Sequence, residues 1–161
     1  MSENCNHGNN DGEVIIDVKN LHKNYGHMEV IKGVDLTVRK GEVICILGSS
    51  GSGKSTLLRC VNKLETQTSG QVLYHGKEIR NVQKEINEFR SRVGMVFQSF
   101  NLFNNMTVLE NCMVGQIKVL KKDKETARKR AMEYLEKVGM APYIQAKPRQ
   151  ISGGQKQRVA I

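Results

Sequence analysis

Alternating apolar and polar positions predict an antiparallel sheet in the first part of the chain. Residues 30–38 alternate apolar with polar side chains, which is the pattern of a strand with one buried face. Residues 14–18 and 71–74 are two more apolar segments of strand length, and the second is followed by His75 and Gly76, where a turn is favoured. These three segments predict an antiparallel subdomain.

Two nearly continuous apolar runs predict strands of another kind. Residues 43–47 and 93–97 have the composition of parallel strands that are buried on both faces. After the first run, apolar side chains recur on one helical face, formed by Leu57, Leu58, Val61 and Leu64. The order is therefore strand, loop and helix.

Three further helices are predicted toward the end of the sequence. Thr107 and Glu110 have the spacing of a capping box for a helix that continues to about residue 119. Residues 124–138 carry apolar side chains on one side of a helix, and residues 151–155 have the composition of another helix start. Strands followed by these helices indicate the α/β class.

Length and composition limit the classes of protein. The 161 residues suffice for one domain with a hydrophobic core; residues 1–12, with four Asn and two Gly, predict a disordered tail before a domain over residues 13–161. The net charge of +9 is spread out except at residues 118–130, where interleaved acidic residues favour a solvated helix face over a nucleic-acid groove. Because only 5% of residues are aromatic and Trp is absent, we expect no nucleic-acid partner.

The most specific motif lies between the first apolar run and its helix. It matches the phosphate-loop spacing G-x-x-x-x-G-K-[ST] at every position. Glycines let the backbone turn so that successive N–H groups face one anion, the lysine adds a positive charge for the β- and γ-phosphates, and the following hydroxyl can bind Mg²⁺. The segment consists of Gly48, Ser49, Ser50, Gly51, Ser52, Gly53, Lys54, Ser55 and Thr56.

A flexible Gly/Ser linker is the alternative explanation of this segment. Linkers, however, do not lie between a buried strand and an amphipathic helix. A helix that begins at the loop would also direct its unpaired N–H groups and its dipole toward the phosphates. The context therefore favours a nucleotide site.

A second helix start has related chemistry. Ser152 is a capping residue, and Gly153 and Gly154 separate it from Gln155 at the predicted start of the last helix. Such a helix N-terminus also suits an anion. The segment lacks a lysine, and taken alone it is explained by a plain N-cap.

Four motifs in this order resemble the ATP-binding cassette (ABC) family of transport ATPases. They are Asn-Tyr-Gly at residues 24–26, the loop at 48–56, Gln98 after an apolar run, and Ile-Ser-Gly-Gly-Gln-Lys-Gln-Arg at 151–158. The resemblance covers residues 14–161, and residues 93–110 look most like the polar amino acid importers of bacteria. It implies a P-loop NTPase sheet with an N-terminal antiparallel β subdomain and a helical subdomain.

The resemblance implies roles for individual residues, with ATP and Mg²⁺ as cofactors. Tyr25 would stack on adenine, although a core strand aromatic is the alternative. Lys54 and Gln98 would act in catalysis, and Ser55 and Gln98 would bind Mg²⁺. For Gln98, a strand-end amide bonded to a loop is the alternative.

In this family the Ser-Gly-Gly-Gln segment binds the γ-phosphate of ATP held by another subunit. The resemblance therefore implies a homodimer that encloses two nucleotides. Its residues here would be Ser152, Gly153, Gly154 and Gln155.

Part of the family pattern does not occur in these 161 residues. In the family, an apolar strand ending in Asp-Glu and later a His follow the Ser-Gly-Gly-Gln helix, and neither occurs here between Gln155 and Ile161. The Asp orders Mg²⁺ and the Glu orients the attacking water. The one apolar run that ends in a carboxylate, residues 14–17, matches the family's first strand. We therefore expect a C-terminally truncated sequence with little turnover alone, whose full-length parent hydrolyses ATP.

The function implied by the resemblance is the ATP-binding and hydrolysing subunit of an importer, with polar amino acids as cargo. Its partners would be a second nucleotide-binding subunit and integral membrane permease subunits, at the cytoplasmic face of the cell membrane. The alternative is a non-catalytic nucleotide-binding fragment without a transport role. A DNA-repair relative is disfavoured because no sustained heptads occur between Thr56 and Ser152, and a phosphotransferase is disfavoured by the Ser-Gly-Gly-Gln segment.

Overall fold

A computed structural model describes residues 12–161, so the predicted tail lies outside the described residues apart from Gly12. The strands are β1 (Val14–Tyr25), β2 (Met28–Arg39), β3 (Ser69–Tyr74) and β4 (Lys77–Glu78). The helices are α1 (Lys54–Val61), α2 (Gln83–Arg92), α3 (Val108–Lys118), α4 (Lys124–Lys137) and α5 (Gly153–Ala160), with short 3₁₀ turns at Ala141–Tyr143 and Pro148–Gln150. The chain divides into two compact units, residues 12–93 and 94–161.

The four strands form one antiparallel sheet in the order β2-β1-β3-β4. β1 and β2 are joined by a tight hairpin in which Tyr25 pairs with Met28, and β3 and β4 by the predicted turn at His75 and Gly76. β1 continues well past the predicted residue 18, with irregular register between Val18 and Leu21. The predicted antiparallel subdomain is confirmed.

Helix α1 packs its buried side against this sheet. Leu57 and Cys60 join Leu21, Ile31 and Val72 in one hydrophobic cluster. The predicted apolar face was partly wrong, because Leu58 and Leu64 are 47% and 39% exposed. The inner face of α1 is formed by Leu57, Cys60 and Val61, and Leu64 follows the last residue of the helix.

The two apolar runs predicted as parallel strands do not form strands in the described structure. Neither residues 43–47 nor residues 93–97 join the sheet within residues 12–161. Val43 and Leu47 are 89% and 91% exposed, so the first run is not buried either. A strand of this type needs a hydrogen-bonded neighbour along each edge, and the residues described supply none.

The second unit is helical, as predicted. Helices α3 and α4 enclose a core of Leu109, Met113, Ala131 and Leu135. Arg158 of α5 donates a hydrogen bond of 3.0 Å to the carbonyl of Val138 at the end of α4, which links the last two helices.

The start of α3 agrees with the sequence pattern. The capping box of Thr107 and Glu110 is formed at the start of α3, as predicted.

Within residues 12–161, no helix combines the length and apolar character needed to cross a bilayer.

Candidate functional site

The predicted phosphate loop curls back on itself before α1. The N–H of Ser52 donates to the carbonyl of Ser49 across 3.3 Å, and Gly53 caps α1 with φ 89°. A Cβ added at Gly48 would lie 2.8 Å from the Ser52 hydroxyl oxygen. The curl is therefore too tight for a larger residue at position 48 unless Ser52 moves.

Lys54 places its ammonium inside this curl. Its Nζ donates to the carbonyls of Gly48 and Ser49 over 2.9 and 2.6 Å, and lies 3.4 Å from the Ser52 hydroxyl. The lysine thus holds both ends of the turn together and leaves a positive charge at its centre. An anion bound in the loop would meet that charge directly.

Backbone donors at the start of α1 are free to bind an anion. Among residues 12–161, no acceptor pairs with the N–H of Lys54, Ser55 or Thr56. The first N–H groups of a helix lack intrahelical partners, and Gly53 offers no side chain to cap them. Ser55 is exposed in this first turn, so its hydroxyl can reach a metal ion that accompanies the phosphates. The residues fit a nucleotide triphosphate with Mg²⁺.

Tyr25 lies at the end of β1 beside the hairpin turn. Its side chain is 46% exposed, which contradicts the alternative that it is a core aromatic. The ammonium of Lys23 lies 4.7 Å from the centroid of its ring. The ring therefore has one face near a cation and a large exposed surface.

Gln98 and the Ser-Gly-Gly-Gln segment both belong to residues 94–161. Gln98 is exposed and lies in a turn, so the prediction that it ends a strand was wrong, because residues 93–97 have no β partner among those described. Ser152 caps α5, its hydroxyl accepting from the N–H of Gln155 at 3.3 Å while the Gln155 side chain accepts from the N–H of Ser152 at 2.8 Å.

The N-cap proposed as the alternative for this segment is therefore formed. It occupies the two polar side chains with each other and leaves Gly153 and Gly154 as the exposed backbone of the first turn, with no described atom within 4 Å of an added Cβ. A helix start of this kind can still present N–H groups to an anion.

Sequence reasoning missed a partly buried ion pair next to Tyr25. Lys23 is only 8% exposed, and its ammonium lies 2.8 Å from a carboxylate oxygen of Glu65. The hydrogen bond between them raises the pKa of Lys23 and lowers the pKa of Glu65. The available signal was alternation in β1, since Lys23 lies two residues from the buried Leu21 and therefore on the same face.

Comparisons with known proteins identify the family that this chain resembles. The family model described as ABC transporter matches residues 31–161. The glutamine transport ATP-binding protein GlnQ of Bacillus subtilis is 48% identical over 147 residues, which cover 91% of this chain and 61% of the relative. The arginine transport ATP-binding protein ArgV of Corynebacterium glutamicum is 50% identical over 159 residues, covering 92% and 63%.

Solved structures show the same likeness. The dimeric structure of MJ0796, a bacterial ABC transporter cassette, superposes with a TM-score of 0.82 at 37% identity, covering 91% of this chain and 67% of that one. A second structure of MJ0796, in a post-hydrolysis state bound to ADP and Pi, gives a TM-score of 0.81 at 35% identity, with the same coverage.

This chain thus spans less than two thirds of the length of the curated relatives described above, at 61% and 63%. The matched region nevertheless contains both the loop that holds Lys54 and the helix capped by Ser152. By the extent of that match, the chain belongs to the ABC transporter family.

Proposed function

We propose that this chain is the ATP-binding part of a subunit that hydrolyses ATP for an importer of polar amino acids. The observation that carries the proposal is the position of Lys54, whose ammonium lies within the glycine-bent loop at the start of α1. The cargo is inferred from GlnQ and ArgV, whose names give glutamine and arginine transport. Residues 13–161 would form the nucleotide-binding domain, incomplete relative to the longer relatives.

In this proposal the loop binds the triphosphate through backbone N–H groups and Lys54. Ser55 ligates Mg²⁺, which neutralises charge on the β- and γ-phosphates when bound. Tyr25 stacks on adenine with its exposed ring. The loop residues involved are Gly48, Ser49, Ser50, Gly51, Ser52, Gly53, Lys54, Ser55 and Thr56.

The remaining roles concern the γ-phosphate. Gln98 contributes its amide oxygen to Mg²⁺ and to the attacking water. The backbone at Gly153 and Gly154, held by the reciprocal cap of Ser152 and Gln155, binds the γ-phosphate of ATP on a second subunit. The dimers of MJ0796 support this choice of a second cassette as partner. Integral membrane permease subunits would complete the assembly, with this subunit peripheral at the cytoplasmic face.

Turnover by these 161 residues alone is expected to be low. Asp17, the one carboxylate that ends an apolar run, pairs with Lys19 at 3.3 Å and accepts from the Thr37 hydroxyl at 2.9 Å. These contacts occupy its carboxylate within the sheet, so we do not expect Asp17 to act as the general base for the attacking water.

Calorimetric titration of Mg-ATP into the protein and its Lys54→Ala variant tests the nucleotide site. Hydrogen bonds to a charged group are worth about 1.5–3 kcal/mol, so we expect Kd to rise roughly ten- to hundredfold. Lys40→Ala, which removes the same charge from an exposed position, should leave Kd unchanged. Equal affinity of the Lys54→Ala variant and the parent would refute the proposal. Phosphate release at a rate typical of ATPases would refute only the expectation of low turnover.

A further inference from the structure

The segment after α1 is hydrogen-bonded to the end of β1 at several points. The N–H of Thr68 donates to the carbonyl of His22 over 2.8 Å, and the N–H of Asn24 donates to the Thr68 hydroxyl over 2.9 Å. These bonds connect the strand that ends at Tyr25 with the chain that leaves the phosphate-loop helix.

Lys23 adds a charged link between the same two segments. Its ammonium donates to the carbonyl of Thr66 over 2.7 Å and lies 2.8 Å from the Glu65 carboxylate. Both acceptors follow α1 by a few residues. Lys23 is 8% exposed and the Glu65 side chain is 32% exposed, so the pair is shielded from water mainly on the lysine side, where these partners hold the ammonium.

The third neighbour of this ammonium is the ring of Tyr25, at 4.7 Å from the centroid. A cation within about 6 Å of an aromatic face is attracted to it. Tyr25 is next to the hairpin turn and 46% exposed, so much of its ring is not held by packing. The cation stabilises one orientation and leaves the remaining surface of the ring free for a base.

We propose that Lys23 is a positioning residue that holds the ring of Tyr25 at a fixed position relative to the phosphate loop. Tyr25 contacts the base and Lys23 does not; Lys23 fixes the ring through its ammonium and fixes its own position through Glu65 and Thr66. The same lysine therefore connects the adenine site with the helix that carries the triphosphate. This inference rests on the proposed function, in which Tyr25 stacks on adenine.

Comparing ATP with inorganic tripolyphosphate separates base binding from phosphate binding. For each variant, the Kd of tripolyphosphate divided by the Kd of ATP measures what the nucleoside adds. Lys23→Met should lower this ratio roughly three- to tenfold, the range of a partly buried cation–π contact, while the Kd of tripolyphosphate stays the same. Lys23→Arg, which keeps the cation, should restore most of the ratio.

Two further variants keep the test decisive. Glu65→Leu removes one of the two acceptors that hold the ammonium and leaves the Thr66 carbonyl in place; it should lower the ratio, but by less than Lys23→Met. Lys19→Met removes an exposed lysine of the same strand and should change neither Kd. If Lys23→Met fails to fold, the Glu65→Leu variant carries the test, and an unchanged ratio in that variant overturns the inference.

The possible failures are distinguishable. A lower ratio in Tyr25→Leu together with an unchanged ratio in Lys23→Met overturns this inference and leaves the nucleotide site intact. An unchanged ratio in Tyr25→Leu overturns the adenine role and this inference with it. A parallel loss of ATP and tripolyphosphate binding in Lys23→Met shows a merely structural role, and so overturns the inference as well.

Discussion

Replacing Gly53 with Ala is expected to destabilise the phosphate loop through its backbone. Gly53 has φ 89°, and an added Cβ would lie 3.0 Å from Cγ1 and 3.1 Å from the carbonyl oxygen of Val30 in β2. The left-handed conformation costs a residue with a side chain about 1–2 kcal/mol. Crowding against a packed neighbour costs about 1–3 kcal/mol more. We therefore expect the free energy of unfolding to fall by roughly 2–5 kcal/mol.

Gly51→Ala is the matched control for this change. Gly51 has φ 78°, but an added Cβ would meet no described atom within 4 Å. This variant should lose only about 1–2 kcal/mol, so the difference between the variants measures the contact of the loop with Val30. Urea unfolding followed by far-ultraviolet circular dichroism gives both free energies. Equal losses in the two variants would refute the close packing of Gly53 on β2.

Three further predictions concern the helical unit. Thr107→Ala should lower the free energy of unfolding by about 1 kcal/mol through loss of the α3 cap, measured by urea denaturation. The backbone hydrogen bond from Thr107 lowers the pKa of Glu110 in the folded protein. The stabilisation by Glu110 should therefore be complete above the ordinary carboxylate pKa of about 4.3. It should be lost as the pH falls through the lower pKa of the folded state. A Glu110→Ala variant whose deficit at about pH 7 persists at about pH 2 would contradict this. The Asn111 side chain accepts a hydrogen bond from the N–H of Phe103 at 2.7 Å and donates to the carbonyls of Phe103, Met106 and Thr107. Asn111→Ala should lower the free energy of unfolding by about 1–3 kcal/mol and speed proteolysis between residues 99 and 107. An unchanged cleavage rate there would contradict this prediction.

Features encoded by neighbouring residues could be predicted from the sequence. The caps at Thr107 with Glu110 and at Ser152 with Gln155 are each complete within four consecutive residues, so spacing alone specifies them. The turn of the phosphate loop before Lys54 is local in the same sense. Roles that depend on bound nucleotide, such as those of Tyr25 and Gln98, remain predictions.

Features that depend on distant partners could not be predicted. Residues 43–47 have the composition of a buried strand, but a strand forms only where neighbours complete its hydrogen bonds. Helix α2 was not predicted because its sequence carries little signal: Phe89 is its only buried residue, and its N-cap, Val82, forms no side-chain hydrogen bond. Lys23 was overlooked because its partner Glu65 lies 42 positions later in the chain, counting from 23 to 65.

The hydrogen bond from Arg158 to Val138 has a consequence for how the helical unit opens. The Val138 carbonyl at the end of α4 accepts its hydrogen bond from a donor on α5, so fraying of α5 leaves that carbonyl unpaired. Amide protons at the end of α4 and in α5 should then exchange with solvent in a single cooperative step. A ligand that stabilises the start of α5 would consequently slow exchange in a helix it never touches.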